Sequence, residues 1–110
     1  MDVVSGCYAL VARFPEHERY VLAAQLMRAA ISVPANIAEG HCRSSSKAYL
    51  NHLSIAIGSH AELETCLAIA SRAGYAPSLL PALAAQHATV GRMLNGLYRA
   101  IGARITTTRR

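Results

Sequence analysis

The sequence predicts an all-α protein, an antiparallel up-and-down four-helix bundle with a short first helix. Apolar residues recur every three or four positions along four segments, which is the period of amphipathic helices. Alanine and leucine dominate and tryptophan is absent, which favours helix over sheet. The 110 residues suit one domain over the whole chain, and short connections make neighbouring helices antiparallel.

The first two helices are predicted over residues 2–14 and over about 16–41. Phe14 ends the first helix, because a residue that precedes a proline is disfavoured in the helical conformation. Pro15 can then open the second helix, since its missing N–H is one that a helix start leaves unpaired in any case.

Pro34 lies inside the second helix. It removes the hydrogen bond to the Ala30 carbonyl, which costs about 3 kcal/mol in an ordinary helix interior. Because the apolar period continues to Ile37, we expect a kink and not a break. The side chain of Asn36 or Ser32 could satisfy the carbonyl that Pro34 leaves unpaired, or could face solvent.

Two further helices follow, with recognisable signals at their ends. One serine of residues 44–46 is expected to cap the third helix, and Gly74 to end it. Gly58 lies in its middle, where we expect the close approach of a neighbouring helix to compensate for the cost of glycine. Pro77 or Pro81 opens the fourth helix.

The short first helix leaves part of the bundle uncovered. It can cover only the half of the second helix that contains residues 16–30, so three helices are left with an exposed apolar flank around residues 33–43. An apolar patch of this kind usually marks a binding partner. We expect either that another subunit covers it or that the natural chain begins upstream of Met1.

Polar residues within the second and third helices predict a structural network or a subunit interface. Antiparallel packing about a turn near residue 44 pairs positions at equal distances from that turn, which places Arg28 opposite Glu62 and Asn36 opposite His52. We expect an ion pair of Arg28 with a third-helix glutamate, which would set the register of the helices. A ligand site at the kink is the alternative. The predicted network comprises Arg28, Asn36, Glu39, Glu62 and Glu64.

The sequence predicts no enzyme, no cofactor and no metal site. Glu62 and Glu64 are two positions apart on a helix, so their carboxylates point in different directions and do not form an acid–base pair. His60 and His87 lie on neighbouring apolar stripes, and we interpret them as core or interface histidines. A metal protein built on these histidines and Glu64 is the weaker alternative. The three cysteines are widely spaced and lack a C-x-x-C pattern, which indicates neither a disulfide framework nor a zinc site.

The chain is basic, with a net charge of +5 and a pI of about 9.6, which favours an anionic partner such as nucleic acid. Helix four is predicted to end where helix three begins. Most of the basic residues therefore gather at one end of the bundle, where they could contact phosphates without reading sequence. The alternatives are an ordinary solvated surface and a docking site for an acidic protein. Few aromatic residues lie nearby, so stacking of single-stranded bases is not expected. The predicted nucleic-acid-binding residues are Arg43, Lys47, Arg99, Arg104, Arg109 and Arg110.

The sequence contains no signal-peptide pattern, and its longest purely apolar run is far shorter than a membrane span. We therefore expect a cytoplasmic protein with no membrane association.

Three strings carry a family resemblance. They are Phe14-Pro15 followed by Glu18 and Tyr20, the run from Gln25 to Gly40 that ends in Ser-Val-Pro-Ala-Asn-Ile-Ala-Glu-Gly, and the run from Leu53 to Glu64. The chain resembles the four-helix-bundle family named after proteins encoded in intervening sequences of bacterial large-subunit ribosomal RNA genes. Relatives of that family include the accessory variability determinant of diversity-generating retroelements.

This resemblance implies a four-helix protomer, a ring-shaped homopentamer, and a basic surface that binds nucleic acid or a reverse transcriptase. It implies no catalytic activity. We expect a non-enzymatic oligomeric scaffold or accessory factor that binds nucleic acid. The alternative is a protein–protein interaction module with an acidic partner.

Overall fold

The computed structural model describes residues 2–108, and side chains as far as residue 105. Its four helices are α1 (Asp2–Val11), α2 (Leu22–His41), α3 (Ser46–Ala73) and α4 (Leu80–Thr108), and the described part of the chain has no strand. Helix α3 packs between α2 and α4, while α1 packs on α2 and α4. The molecule measures 54 × 23 × 18 Å. The predicted all-α four-helix fold with a short first helix is confirmed.

The second helix begins later than predicted. Residues Glu16–Glu18 form a single 3-10 turn, and α2 begins only at Leu22. The backbone N–H of Glu18 donates to the Pro15 carbonyl, and the N–H of Val21 donates to the Glu18 carbonyl. These bonds span three residues instead of the four of an α-helix. The turn lets the chain reverse between α1 and α2, so the interpretation of residue 16 as the helix start is wrong.

Helix α2 continues through Pro34, as the apolar period predicts. The expectation about the unpaired Ala30 carbonyl is wrong. The side-chain amide of Asn36 donates instead to the carbonyl of Ser32, at 2.9 Å, and to the Ser32 hydroxyl, at 3.1 Å. A side chain in a helix reaches back four residues along its own face, and Ser32 stands four positions before Asn36.

The predicted ends of α3 are confirmed. The hydroxyl of Ser45 accepts a hydrogen bond from the backbone N–H of Ala48 at 3.1 Å, so Ser45 is the capping serine of the 44–46 run. Gly74 ends the helix with a φ of 77°, a left-handed conformation that costs glycine little. Pro81 lies in the first turn of α4, which begins at Leu80.

Close approach of helices occurs at glycines other than the predicted one. A Cβ atom added at Gly58 would have no neighbour within 4 Å, so the interpretation of Gly58 is wrong. At Gly40 the added atom would lie 2.8 Å from the Cβ of His52, and at Gly91 it would lie 2.6 Å from Cε1 of His60. These two glycines allow α3 to pack closely against α2 and α4.

The core consists of two clusters that follow one another along the bundle axis. The first includes residues from all four helices: Cys7, Leu10, Leu22, Leu26, Ala29, Ala30, Leu63, Cys66, Leu67, Ala70, Leu80 and Leu83. The second includes residues from α2, α3 and α4 only: Val33, Leu53, Ala56, Leu94 and Ile101. We call the parts of the bundle around them the four-helix half and the three-helix half.

Helix α3 is long and apolar enough to cross a membrane by length and composition alone. This is weak evidence, because the core helix of a soluble protein passes the same test. Helix α3 places Leu53 in one core cluster and Leu63 in the other, and we interpret it as the central helix of the bundle.

Candidate nucleic-acid interface and apolar groove

The end of the bundle where α2 ends, α3 begins and α4 ends carries several basic side chains. Arg43, Lys47, Arg99 and Arg104 are all exposed there, and we call these four residues the basic end. They come from two separate regions of the chain, residues 43–47 around the α2–α3 turn and residues 99–104 of α4, which the antiparallel topology brings to one end of the molecule. Arg109 and Arg110, also predicted to belong to this group, lie outside the described residues.

Arg43 of the basic end forms an ion pair with a carboxylate on α2. The guanidinium of Arg43 donates to the carboxylate of Glu39, one turn earlier on α2, and both side chains are about half exposed. An exposed pair of this kind contributes little stability. Glu39 thus belongs to the surface of the basic end. It was predicted to belong to the network between α2 and α3, but the structure pairs it with Arg43. A phosphate that bound Arg43 would have to compete with Glu39.

Aromatic rings accompany the basic end, which the sequence analysis did not expect. The rings of His41 and Tyr49 meet edge to face, with centroids 5.9 Å apart and planes at 75°. Tyr98, next to Arg99 in the chain, is 37% exposed. The positions of His41 and Tyr49 on either side of the α2–α3 turn were the signal that these two rings would meet.

A short polar network joins the facing sides of α2 and α3. The carbonyl oxygen of the Asn36 amide lies 3.2 Å from Nδ1 of His52, which confirms that predicted pairing. The hydroxyls of Ser32 and Ser59 are 2.7 Å apart, a contact that the sequence analysis missed. Hydrogen bonds between partly buried side chains favour one register of two helices over its alternatives, so this network positions α3 on α2.

The predicted ion pair of Arg28 is wrong. Arg28 is exposed, and Glu62 accepts a hydrogen bond from the Gln25 side chain at 3.4 Å. Glu64 is exposed as well. Two ion pairs in the described part of the chain, Arg43–Glu39 and Arg19–Glu16, each join residues about one helical turn apart. Arg28 follows Gln25 by three positions, which rotates it by about 60° from the stripe that faces α3 and into solvent.

The two histidines predicted to be neighbours stack face to face. The ring centroids of His60 and His87 are 3.6 Å apart and their planes differ by 8°. Nε2 of His60 lies 2.7 Å from the backbone carbonyl oxygen of His87, so it donates to that oxygen. His87 is 4% exposed, and its Nε2 is buried without a hydrogen-bond partner. No group of three or more His, Cys, Asp or Glu that could hold a metal occurs in the described residues.

Burial governs the electrostatics of this pair. Desolvation lowers the pKa of the His87 imidazole, and the neighbouring His60 lowers it further. The His60 backbone and the carboxylate of Glu64 act in the opposite direction without cancelling the effect. His87 therefore favours the neutral form more strongly than a histidine in water does.

An apolar groove of about 900 Å³ runs between α2 and α4, beyond the first turn of α1. Val33, Pro34 and Ile37 form the α2 wall, where the sequence analysis predicted an uncovered flank. The opposite wall is on α4 and includes Val90, Leu97 and Met93, whose side chain is 68% exposed. Helix α1 also packs on α2 and α4, and its first residues line one end of the groove. The groove thus continues the path that α1 occupies in the four-helix half.

Comparison with known proteins identifies a family. A family model described as 23S rRNA-intervening sequence protein matches residues 1–96, which agrees with the strings noted in α2 and α3. No curated protein matches the chain. The matched range includes the groove-lining residues up to Gly96 and ends before Arg99 and Arg104.

Proposed function

This chain belongs to the 23S rRNA-intervening sequence protein family, and from that premise we propose that it is a non-enzymatic homo-oligomeric scaffold that binds nucleic acid through its basic end. The observation that carries the proposal is the position of the exposed cations. Two regions distant in sequence, the α2–α3 turn with the start of α3 and the C-terminal half of α4, deliver Arg43, Lys47, Arg99 and Arg104 to the same end of an elongated bundle. Clustered cations attract a polyanion more strongly than dispersed ones.

The expected mode of binding is electrostatic. Arginine and lysine neutralise phosphates and release counterions, which gives affinity that falls steeply with salt and depends little on sequence. The exposed ring of Tyr98 beside Arg99 adds a surface on which an unpaired base can stack. We therefore expect the basic end to accept both duplex and single-stranded RNA, with the phosphates as the common contact.

Assembly is the second part of the proposal. The groove exposes an apolar surface beyond the first turn of α1, and such a surface favours contact with another chain. A ring of subunits would also repeat the basic end around its axis, which multiplies phosphate contacts. The resemblance to the family described above implies five subunits. We propose a homo-oligomer of this type in the cytoplasm, without a cofactor, a metal or a membrane.

A second candidate function follows from the same charges. The basic end would equally suit an acidic protein surface, with electrostatic attraction determining the rate of association. Glu39 beside Arg43 favours this alternative, because its carboxylate would repel phosphates, whereas a protein surface can supply a cation to pair with it. The two functions differ in their response to RNA.

The test compares two double variants with equal changes of charge. In Arg99→Glu with Arg104→Glu, we expect the loss of about two phosphate contacts. The slope of log K against log salt should then become shallower by about 2, and duplex RNA should bind at least about tenfold more weakly. The control, Arg13→Glu with Arg72→Glu, places the same charges at exposed positions elsewhere and should retain most of the binding. Fluorescence anisotropy at several salt concentrations measures both.

Light scattering of the same proteins, with and without RNA, measures assembly. A ring-sized species that gains mass with RNA and loses it as salt rises supports the proposal. Equal loss of binding in the two double variants would contradict a specific basic end. An oligomer that ignores RNA at low salt would leave the acidic protein partner, and a monomer would contradict the assembly.

A further inference from the structure

The stacked histidines lie at the contact between α3 and α4, away from the basic end. Their planes are nearly parallel and their centroids are 3.6 Å apart, a spacing that leaves no room for water between the rings. The contact depends on Gly91, because a Cβ atom at that position would lie 2.6 Å from the His60 ring. The backbone of α4 is therefore shaped to receive His60.

A proton on His87 would find no acceptor at its buried nitrogen. A neutral imidazole carries one N–H and one unprotonated nitrogen, whereas an imidazolium has two N–H groups to satisfy. Nε2 of His87 is buried and has no partner, so the neutral ring can leave an unprotonated nitrogen there. The imidazolium would bury an unpaired charged N–H at the same place, which is far more costly.

Few groups near His87 could offset a positive charge. Helix α3 presents His60, which lowers the pKa of His87, and Glu64, which raises it and is exposed to solvent. Helix α1 presents Asp2, which lines the same groove. The α2 residues that line the groove are apolar. A protonated His87 would thus lie against a stacked imidazole at 3.6 Å between ring centroids, and Glu64 does not cancel the lowering of its pKa.

We propose that the stacked pair of His60 and His87 is a pH-sensitive clasp between α3 and α4, which holds the two helices together while His87 is neutral and loosens them in mildly acidic medium. The sign follows from linkage. The pKa of His87 is lowered in the folded protein from about 6.5 in an unfolded chain. The stabilisation is complete above about pH 6.5 and is lost as the pH falls toward the folded pKa, because the unfolded chain takes up the proton first.

The clasp adjoins the apolar groove, since both histidines line its wall. Loosening the contact would change the position of α4 relative to α2 and with it the width of the groove. If another subunit covers the groove, acid would weaken the assembly as well as the fold. The clasp itself does not require the assembly or the binding of nucleic acid.

The test is chemical denaturation between pH 7.5 and 5.5, together with NMR titration of the histidine rings. Each proton taken up by the unfolded chain alone raises the unfolding constant up to about tenfold per pH unit. Wild-type protein should show this rise below about pH 6.5, and the His87 ring should titrate below about pH 6.5. His87→Leu removes the buried nitrogen and should reduce the rise.

Two further variants separate the clasp from general histidine titration. His60→Gln retains a side-chain donor for the His87 carbonyl but removes the second ring, and it should raise the titration midpoint of His87. His17→Gln, at an exposed position, should leave the pH dependence unchanged. Titration of His87 at or above about pH 6.5 in the folded protein, or equal pH dependence in the wild type and in His60→Gln, would overturn the proposal even if His87→Leu does not fold.

Discussion

The two halves of this bundle have the same three long helices and differ in whether α1 covers them. In the four-helix half, Cys7 and Leu10 of α1 complete a core that excludes solvent. In the three-helix half no helix covers the space between α2 and α4 in the described structure. That space is an open groove, with Met93 mostly exposed at its edge. The length of one helix therefore decides which part of the molecule has a closed core and which part has an open apolar groove.

The two ends differ in the same sense. Near the α1–α2 turn, the ring of Tyr75 packs on Phe14 with centroids 5.2 Å apart, and its hydroxyl donates to Glu18 at 2.9 Å. This hydrogen bond is the main cause of the raised pKa of Tyr75. Side chains of the α1–α2 and α3–α4 connections thus contact each other at that end, whereas the other end carries exposed basic side chains. The two ends therefore differ in how many contacts their side chains make within the bundle.

The largest effect should come from the closed core. Leu10→Ala removes a fully buried side chain and should lower the free energy of unfolding by about 2–5 kcal/mol. Leu97→Ala makes the same chemical change at a partly exposed position in the groove and should cost clearly less, because solvent already reaches the site. Urea denaturation measures both. Equal losses would show that the groove is closed in solution.

Two glycine-to-alanine substitutions should have smaller effects on stability, and the effects should be opposite in sign. Gly91→Ala introduces a methyl group against His60 and should destabilise the protein by about 1–3 kcal/mol. Gly58→Ala has open space around it and should stabilise α3 by about 0.5–1 kcal/mol, since alanine is the better helix former. Thermal melts of the two variants should therefore shift in opposite directions. Destabilisation by Gly58→Ala would show that another chain packs closely against α3.

The smallest effect on the fold, and the most informative for function, should come from Met93→Glu. Its side chain is 68% exposed, so the free energy of unfolding of a protomer should change by less than about 0.5 kcal/mol. A carboxylate in an apolar contact between subunits is costly, so the native mass measured by light scattering should fall. Met27→Glu, partly buried in the four-helix half, is the contrasting variant that should lower stability. An unchanged mass for Met93→Glu would place the assembly surface elsewhere.

The apolar period predicted the helices well, while their side-chain pairings were predicted only in part. The pairing of Asn36 with His52 was correct because both residues lie on the facing stripes of α2 and α3. The pairing of Arg28 with Glu62 failed because distance from the turn specifies the height of a residue and not its direction around the helix. The prediction of a close helix contact at Gly58 failed for the same reason, since a central position in α3 does not reveal on which side of the helix a neighbour packs.

The fold class, the helix count and the ends of α3 followed from the spacing of apolar residues, the serines at 44–46 and the glycine at position 74. These features act locally, through hydrogen bonds and backbone conformations within a few residues. The short first helix also predicted the uncovered flank where the groove lies. The stacking of His60 on His87 with an unpaired nitrogen and the fit of Gly91 beneath it depend on how the helices are rotated against one another. Rotation results from the packing of all side chains at once, so these features emerged only in the folded bundle.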